Sequence, residues 1–310
     1  MRRALALLWL TGLSAVTMAT AMAAETRILR RIALTESLDP NTELRLMEYT
    51  SWHPMLPQKY VDTSGMTTNH TAPPGVSGGA ATAGNIIGML VVKAVTENDQ
   101  KNVHEYRENL EAILSQFDFS TELSSEIAQV LKGANFKGVA TELVPEQTEL
   151  EQPGLLVRIP ENNIVTLSTI CYFDKAQRNV NISSAVRVWK KNSSKAFYFT
   201  EMRYSSPSLP DAADPHQAWL ENNGALLVGY LHQGVHEIGK MFSLDLLQQG
   251  GVGMAAVPLT ANWLKPFDGT RVSTVFYPLE DGPERIIGRP YSPEAGLLLS
   301  IPRDIAPAAQ

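Results

Sequence analysis

The sequence predicts an α+β fold: an antiparallel sheet, arranged as a meander, packed by long helices and followed by a small C-terminal β extension. Residues 179–190 alternate between apolar and polar side chains, which is typical of a half-buried strand. Short polar links join this segment to strand-like segments on either side, which indicates a meander. Apolar residues recur at three- and four-residue spacing in 103–117 and 219–242, which is typical of amphipathic helices.

The first 23 residues match a secretory signal peptide. Two arginines precede an apolar stretch at 4–16, and Ala21-Met22-Ala23 supplies a small-residue cleavage site. The apolar stretch is shorter than the roughly 20 residues of a membrane span, which favours cleavage near Ala23 over a retained anchor. We therefore expect a periplasmic or secreted protein. The single cysteine, Cys171, lies far from the cleavage site, so we do not expect a lipoprotein.

The mature chain is predicted to consist of an α+β domain at 24–251 and a proline-rich β extension at 252–310 with a disordered end. Its 44% hydrophobic content is enough for a sizeable core, which makes wholesale disorder improbable. The formal net charge of −6 argues against nucleic acid as a partner, because neutralising phosphates supplies most of that binding.

Local signals place the elements in chain order. Strands are expected at 27–34, 43–50, 139–144, either 155–159 or 164–173, 179–190 and 196–204. Helices are expected across 82–117, from a cap at Ser120 to Gly133, and from Asp214-Pro215 to about residue 247. Short strands of the extension are expected at 271–278, 284–289 and 296–302.

The stretch 72–95 changes from glycine-rich to almost wholly apolar and has three competing interpretations. Residues 75–79 match G-x-S-x-G, which would make Ser77 the nucleophile of a secreted serine hydrolase. The strand that should precede such a turn is missing from the sequence, which disfavours this interpretation. Otherwise 83–95 forms a core helix, or it inserts into a membrane as part of an assembly protein, although it is short for a span. The residues expected to make the interaction are Ile86, Ile87, Leu90 and Val91.

His232 and His236 lie one helical turn apart, which is the spacing of zinc-binding helices. The glutamate of H-E-x-x-H is replaced by Gln233, and no third ligand is evident, so a solvated helix face is the favoured interpretation. Neither G-x-x-x-x-G-K-[ST] nor G-x-G-x-x-G occurs, and we expect no cofactor.

Two segments, GNIIGMLVVKAVTENDQKN and AWLENNGALLVGYLHQGVHEIGKMF, together with the order of elements, resemble a group of uncharacterised bacterial envelope proteins, many of them lipoproteins. The order also looks like that of lipoproteins that activate penicillin-binding proteins or form the curli secretion pore. The resemblance covers about residues 43–247 and implies an α/β fold but no catalytic residues. The sequence offers no complete catalytic constellation, metal-ligand set or nucleotide-binding loop, which favours a non-enzymatic accessory or scaffold protein of the envelope. We expect an envelope protein as its partner, and membrane association through 72–95 is the alternative.

Overall fold

The computed structural model describes residues 43–53, 97–134, 136, 138–144, 159–174, 176–191, 193, 196–210, 214–247, 259–264, 271–290 and 296–303. The predicted signal peptide, the predicted strand at 27–34 and the whole stretch 72–95 lie outside these residues. The candidate residues Ser77, Ile86, Ile87, Leu90 and Val91 therefore remain predictions.

The described residues form an α+β fold with one mixed sheet of nine strands and three helices. The strands are β1 (Leu44–His53), β2 (Val139–Leu143), β3 (Asn163–Phe173), β4 (Val180–Lys190), β5 (Tyr198–Ser205), β6 (Leu259–Leu264), β7 (Arg271–Asp281), β8 (Arg285–Pro290) and β9 (Leu297–Pro302). The helices are α1 (Glu97–Leu114), α2 (Phe119–Gly133) and α3 (Pro215–Leu247). The strand order is β2-β1-β3-β4-β5-β9-β8-β7-β6.

The sheet is not the purely antiparallel meander that the sequence predicts. Strands β3, β4 and β5 do form the expected antiparallel meander, and β6 to β9 also pair antiparallel to one another. However, β1 lies parallel to both β2 and β3, and β9 lies parallel to β5. Parallel neighbours need a long crossover connection. Helices α1 and α2 lie in the connection from β1 to β2, and α3 lies between β5 and β9 in the chain.

The strands predicted for the C-terminal β extension belong to the same sheet as the rest. Strand β9 joins them to β5, with Met202 opposite Leu298. Strand β6 was not expected from the sequence, although the first five residues of its short segment LTANWL alternate between apolar and polar.

The main core lies between one face of the sheet and the helices. Val180, Ile182, Val186 and Val188 are apolar residues of the alternating segment 179–190. All four are fully buried in this core. Trp219 and Phe242 of α3 and Ile127 of α2 pack into the same cluster. Cys171 is buried here as well, as its strand pattern predicts.

The helices differ in detail from the prediction. Of the region 82–117, Glu97–Leu114 forms helix α1, and residues 82–96 lie outside the described residues. Helix α3 is interrupted at 221–224, where Asn222, Asn223 and Gly224 have positive φ angles. Leu226, one of the apolar residues in the predicted helical pattern 219–242, is 39% exposed just after this break. Helix α2 begins two residues earlier than expected, because Asp118 rather than Ser120 caps it by accepting a hydrogen bond from the Thr121 amide.

Candidate functional site

The two histidines singled out in the sequence lie on the exposed side of α3 and face α2. His232 Nδ1 lies 2.7 Å from Glu122 Oε1, and His236 Nδ1 lies 3.4 Å from Glu126 Oε1. The imidazoles are 53% and 70% exposed. Because both pairs are spaced by four residues, they form two successive polar contacts between the helices.

Metal binding would require further ligands around these histidines. Within the part of the chain that the structure describes, no group of three or more histidine, cysteine, aspartate or glutamate side chains is arranged to hold a metal ion. The arrangement of His232 and His236 is instead that of a bridge between two helices, each imidazole beside its own carboxylate.

A shallow groove of about 530 Å³ lies beside these contacts, between the start of α2 and the middle of α3. Its lining includes Phe117, Asp118, Glu122, Val228 and His232. The ring of Phe117 stands edge-on to the imidazole of His232, with ring centroids 4.5 Å apart. Hydrogen bonds from Thr121 hold the pKa of the Asp118 carboxyl below its usual range, so this carboxylate stays charged at neutral pH. The groove therefore combines negative charge with an aromatic and an imidazole side chain.

A buried carboxyl group lies below α2, on the core face of β1. Glu48 is only 1% exposed, and its Oε1 accepts a hydrogen bond of 2.8 Å from the Thr50 hydroxyl. Its Oε2 atom is buried with no hydrogen-bond partner. Burial, and to a smaller extent the negative charge of Asp118, raises the pKa of Glu48 to about 8. Glu48 therefore carries a proton at neutral pH.

The thiol of Cys171 lies in the same part of the core. Burial, with a smaller contribution from the charge of Glu48, raises the pKa of the Cys171 thiol well above its ordinary value. A reactive thiol needs a lowered pKa and partial exposure, and Cys171 has neither. Its environment is that of a small core residue.

Buried ion pairs attach the second half of α3 to strands β8 and β9. Asp245 accepts hydrogen bonds from the Tyr198 hydroxyl and from the Arg289 guanidinium. Glu237 Oε2 accepts a 2.6 Å bond from Ser300, whose oxygen in turn accepts a 3.0 Å bond from Arg285. The sequence analysis did not identify these contacts. Two acidic residues eight positions apart on an otherwise apolar helix face are the signal that would have found them.

A similar contact fixes the other side of the sheet. The guanidinium of Arg45 donates to Glu161 at 2.8 Å and to Glu142 at 2.6 Å, which joins β1 to β2 and to the turn before β3. These hydrogen bonds raise the pKa of Arg45 and lower that of Glu161. Arg45, whose side chain is 25% exposed, thus connects three segments of the fold.

No helix among the described residues has the length and apolar character needed to cross a membrane. The stretch 83–95, for which membrane insertion was one interpretation, is not part of those residues.

No family model matches the chain. No curated protein matches it significantly. Among solved structures, the chain is similar to the hypothetical protein CT253 from Chlamydia trachomatis, with 15% sequence identity, 41% of this chain and 84% of that chain covered, and a TM-score of 0.25.

Proposed function

We propose that this protein is a periplasmic or secreted accessory protein of the bacterial envelope, which acts by holding a partner protein rather than by catalysis. The observation that carries the proposal is the use of charged side chains to connect elements. The buried pair Asp245–Arg289 and the partly exposed pair Arg45–Glu161 join elements that are far apart in the chain. Buried ion pairs can add conformational specificity to a fold, and we take this as support for a scaffold role.

The N-terminal sequence supports the location. The arginines, the apolar stretch and the Ala21-Met22-Ala23 site together form the pattern of an exported protein. The elements 43–247 resemble those of envelope proteins that work through protein partners, which supports the proposed mode of action.

The first experiment is cell fractionation followed by in-cell cross-linking and mass spectrometry. We expect a mature chain that begins near Ala24, found in the periplasm or the medium, and a reproducible cross-link to one envelope protein. A chain that stays in the cytoplasm with its first 23 residues attached would contradict the location. A correctly exported chain that gives no reproducible cross-link would contradict the partner role.

The second experiment separates this role from hydrolysis. The purified protein is treated with a fluorescent fluorophosphonate probe, which labels activated serine nucleophiles. We expect equal, background labelling of the wild-type protein and of the Ser77→Ala variant. Strong labelling that Ser77→Ala abolishes would contradict the non-enzymatic proposal and favour a serine hydrolase.

A further inference from the structure

The two histidines on the exposed side of α3 have the same spacing and the same kind of neighbour as the histidines of a metal site. His232 and His236 are four residues apart in a regular part of the helix, so their side chains leave the same face one turn apart. His232 Nδ1 lies 2.7 Å from Glu122 Oε1, and His236 Nδ1 lies 3.4 Å from Glu126 Oε1. The imidazoles are 53% and 70% exposed, so an ion in solution can reach both.

The carboxylates of α2 determine which ring nitrogen each histidine keeps for a ligand. A carboxylate only accepts hydrogen bonds, so a neutral imidazole beside it donates through Nδ1 and keeps the lone pair of Nε2. Among the described residues, no hydrogen bond or ion pair involves Nε2 of His232 or His236. Two histidines in this spacing on one helix face are the pair that zinc-binding helices use.

Packing holds both histidine–glutamate pairs in place. The ring of Phe117 stands edge-on to that of His232, with ring centroids 4.5 Å apart. The stem of Glu126 lies against the backbone of α3, because a Cβ atom added at Gly239 would collide with Glu126 Cγ. Metal-ligating histidines almost always donate their other N–H to a carboxylate, a carbonyl or water, which fixes the ring and makes it a better ligand. The glutamates of α2 occupy the place of such outer-shell partners.

We propose that His232 and His236 bind one divalent transition-metal ion through their Nε2 atoms. Glu122 and Glu126 are its outer-shell partners. Imidazole suits Zn²⁺, Cu²⁺ and Ni²⁺. The further ligands that the ion needs are water molecules, because no third histidine, cysteine, aspartate or glutamate among the described residues is arranged to join the two histidines. The site is therefore an open one, unlike the closed four-ligand sites of structural zinc.

The test is a Zn²⁺ titration of the purified protein, prepared without a histidine tag and followed by isothermal calorimetry. We expect one ion to bind per chain. His232→Asn and His236→Asn should each lower the affinity at least about tenfold, because loss of an outer-shell partner alone typically costs that much. The matched control is His104→Asn, which removes an exposed histidine of α1 that also lies beside a glutamate but has no second histidine one turn away. Its affinity should equal that of the wild type.

Two further variants test the role of the glutamates. Glu122→Gln keeps an oxygen that can accept the hydrogen bond from His232 Nδ1, whereas Glu122→Leu removes it. We expect the leucine variant to lose about tenfold or more in Zn²⁺ affinity and the glutamine variant to keep most of it.

Thermal unfolding supplies a second readout. Zn²⁺ should raise the unfolding midpoint of the wild type, because an ion that binds only the folded state stabilises that state. The midpoint of His236→Asn should rise much less at the same Zn²⁺ concentration. Without Zn²⁺ the two proteins should unfold at similar temperatures, because the His236 side chain is 70% exposed.

Several results would overturn the proposal. One is the absence of Zn²⁺ binding; another is binding that neither histidine variant weakens, which would place the ion elsewhere. A loss of affinity in only one of the two histidine variants would contradict a shared ion. Equal losses in Glu122→Gln and Glu122→Leu would overturn the outer-shell role of the glutamate. None of these results bears on export or on cross-linking, so this proposal and the proposed function fail separately.

Discussion

Replacing Glu48 by glutamine should remove the part of the pH dependence of stability between pH 5 and pH 8 that Glu48 contributes. In the folded protein the Glu48 carboxyl lies between β1 and α2, and burial raises its pKa from 4.5 to about 8. In the unfolded chain the same group is solvated and loses its proton near its ordinary pKa. Between these two values the folded state holds a proton that the unfolded state has released.

The sign and size of the effect follow from proton linkage. Because the folded state binds more protons, the free energy of unfolding falls as pH rises. The contribution is fully present below pH 4.5 and is lost as pH rises through about 8. For these two pKa values, the free energy of unfolding of the wild type should fall by about 3 to 4 kcal/mol between pH 5 and pH 8 because of Glu48 alone. Glutamine keeps an oxygen that can accept the hydrogen bond from Thr50 but cannot ionise, so its variant should lack this loss.

The measurement is urea unfolding, followed by tryptophan fluorescence, at pH 5, 6, 7 and 8. The informative quantity is the difference in unfolding free energy between Glu48→Gln and wild type, because other titrating groups cancel in it. This difference should grow in favour of the variant with each pH unit. The control is Glu105→Gln, which changes an exposed glutamate of α1 and should give a difference independent of pH. A Glu48→Gln difference that stays constant within about 0.5 kcal/mol from pH 5 to pH 8 would refute a protonated, buried Glu48.

Three further substitutions test the packing by thermal and urea unfolding. Gly224→Ala should destabilise the protein by about 2 kcal/mol or more, because φ is +73° there and the new methyl group would lie 2.5 Å from Ile113 Cγ2. An unchanged unfolding midpoint would contradict the turn within α3. Tyr106→Phe should be neutral or stabilising by up to about 1 kcal/mol, because the buried hydroxyl has no hydrogen-bond partner, and a large loss would reveal one. Asp245→Asn should lower the free energy of unfolding by about 3 to 5 kcal/mol, because it leaves Arg289 buried without its carboxylate. A loss below about 1 kcal/mol would show that the pair is solvated.

Local sequence patterns correctly predicted which residues of β4 are buried and where α3 begins. The alternation in 179–190 placed the buried residues of β4 on the correct face, because a strand with one buried face leaves a period of two in its sequence. The start of α3 was equally well marked: Asp214 Oδ1 accepts a hydrogen bond from the His216 amide, and proline occupies the first helical position. Both signals lie within a few residues of the structure that they specify.

Elements with weak or mixed signals were missed or misread. The break in α3 lies at the Asn-Asn-Gly segment 222–224. It was missed because the apolar residues before and after this segment keep a helical spacing. Asn and Gly tolerate positive φ better than other residues, so this tripeptide was the available signal. The cap of α2 was assigned to Ser120, although Asp118 is also a favoured cap residue and makes the hydrogen bond.

The candidate site could be predicted only in part. The spacing of His232 and His236 placed both on one helix face, which the structure has. Their carboxylate neighbours are about 110 residues earlier in the chain, in a helix whose position against α3 is not encoded locally. Glu48 could have been noticed, because alternation along β1 puts it on the same face as Leu44 and Leu46.

The sequence by itself determined that the chain is α+β and where most of its described strands and helices lie, whereas export through the N-terminal segment stays a prediction. Tertiary structure alone decided that β1 lies between β2 and β3, that β9 pairs with β5, and that Asp245 meets Arg289. The physical reason is the range of the interactions. Periodicity and capping act between residues a few positions apart, whereas strand order and buried ion pairs depend on which distant surfaces exclude water together.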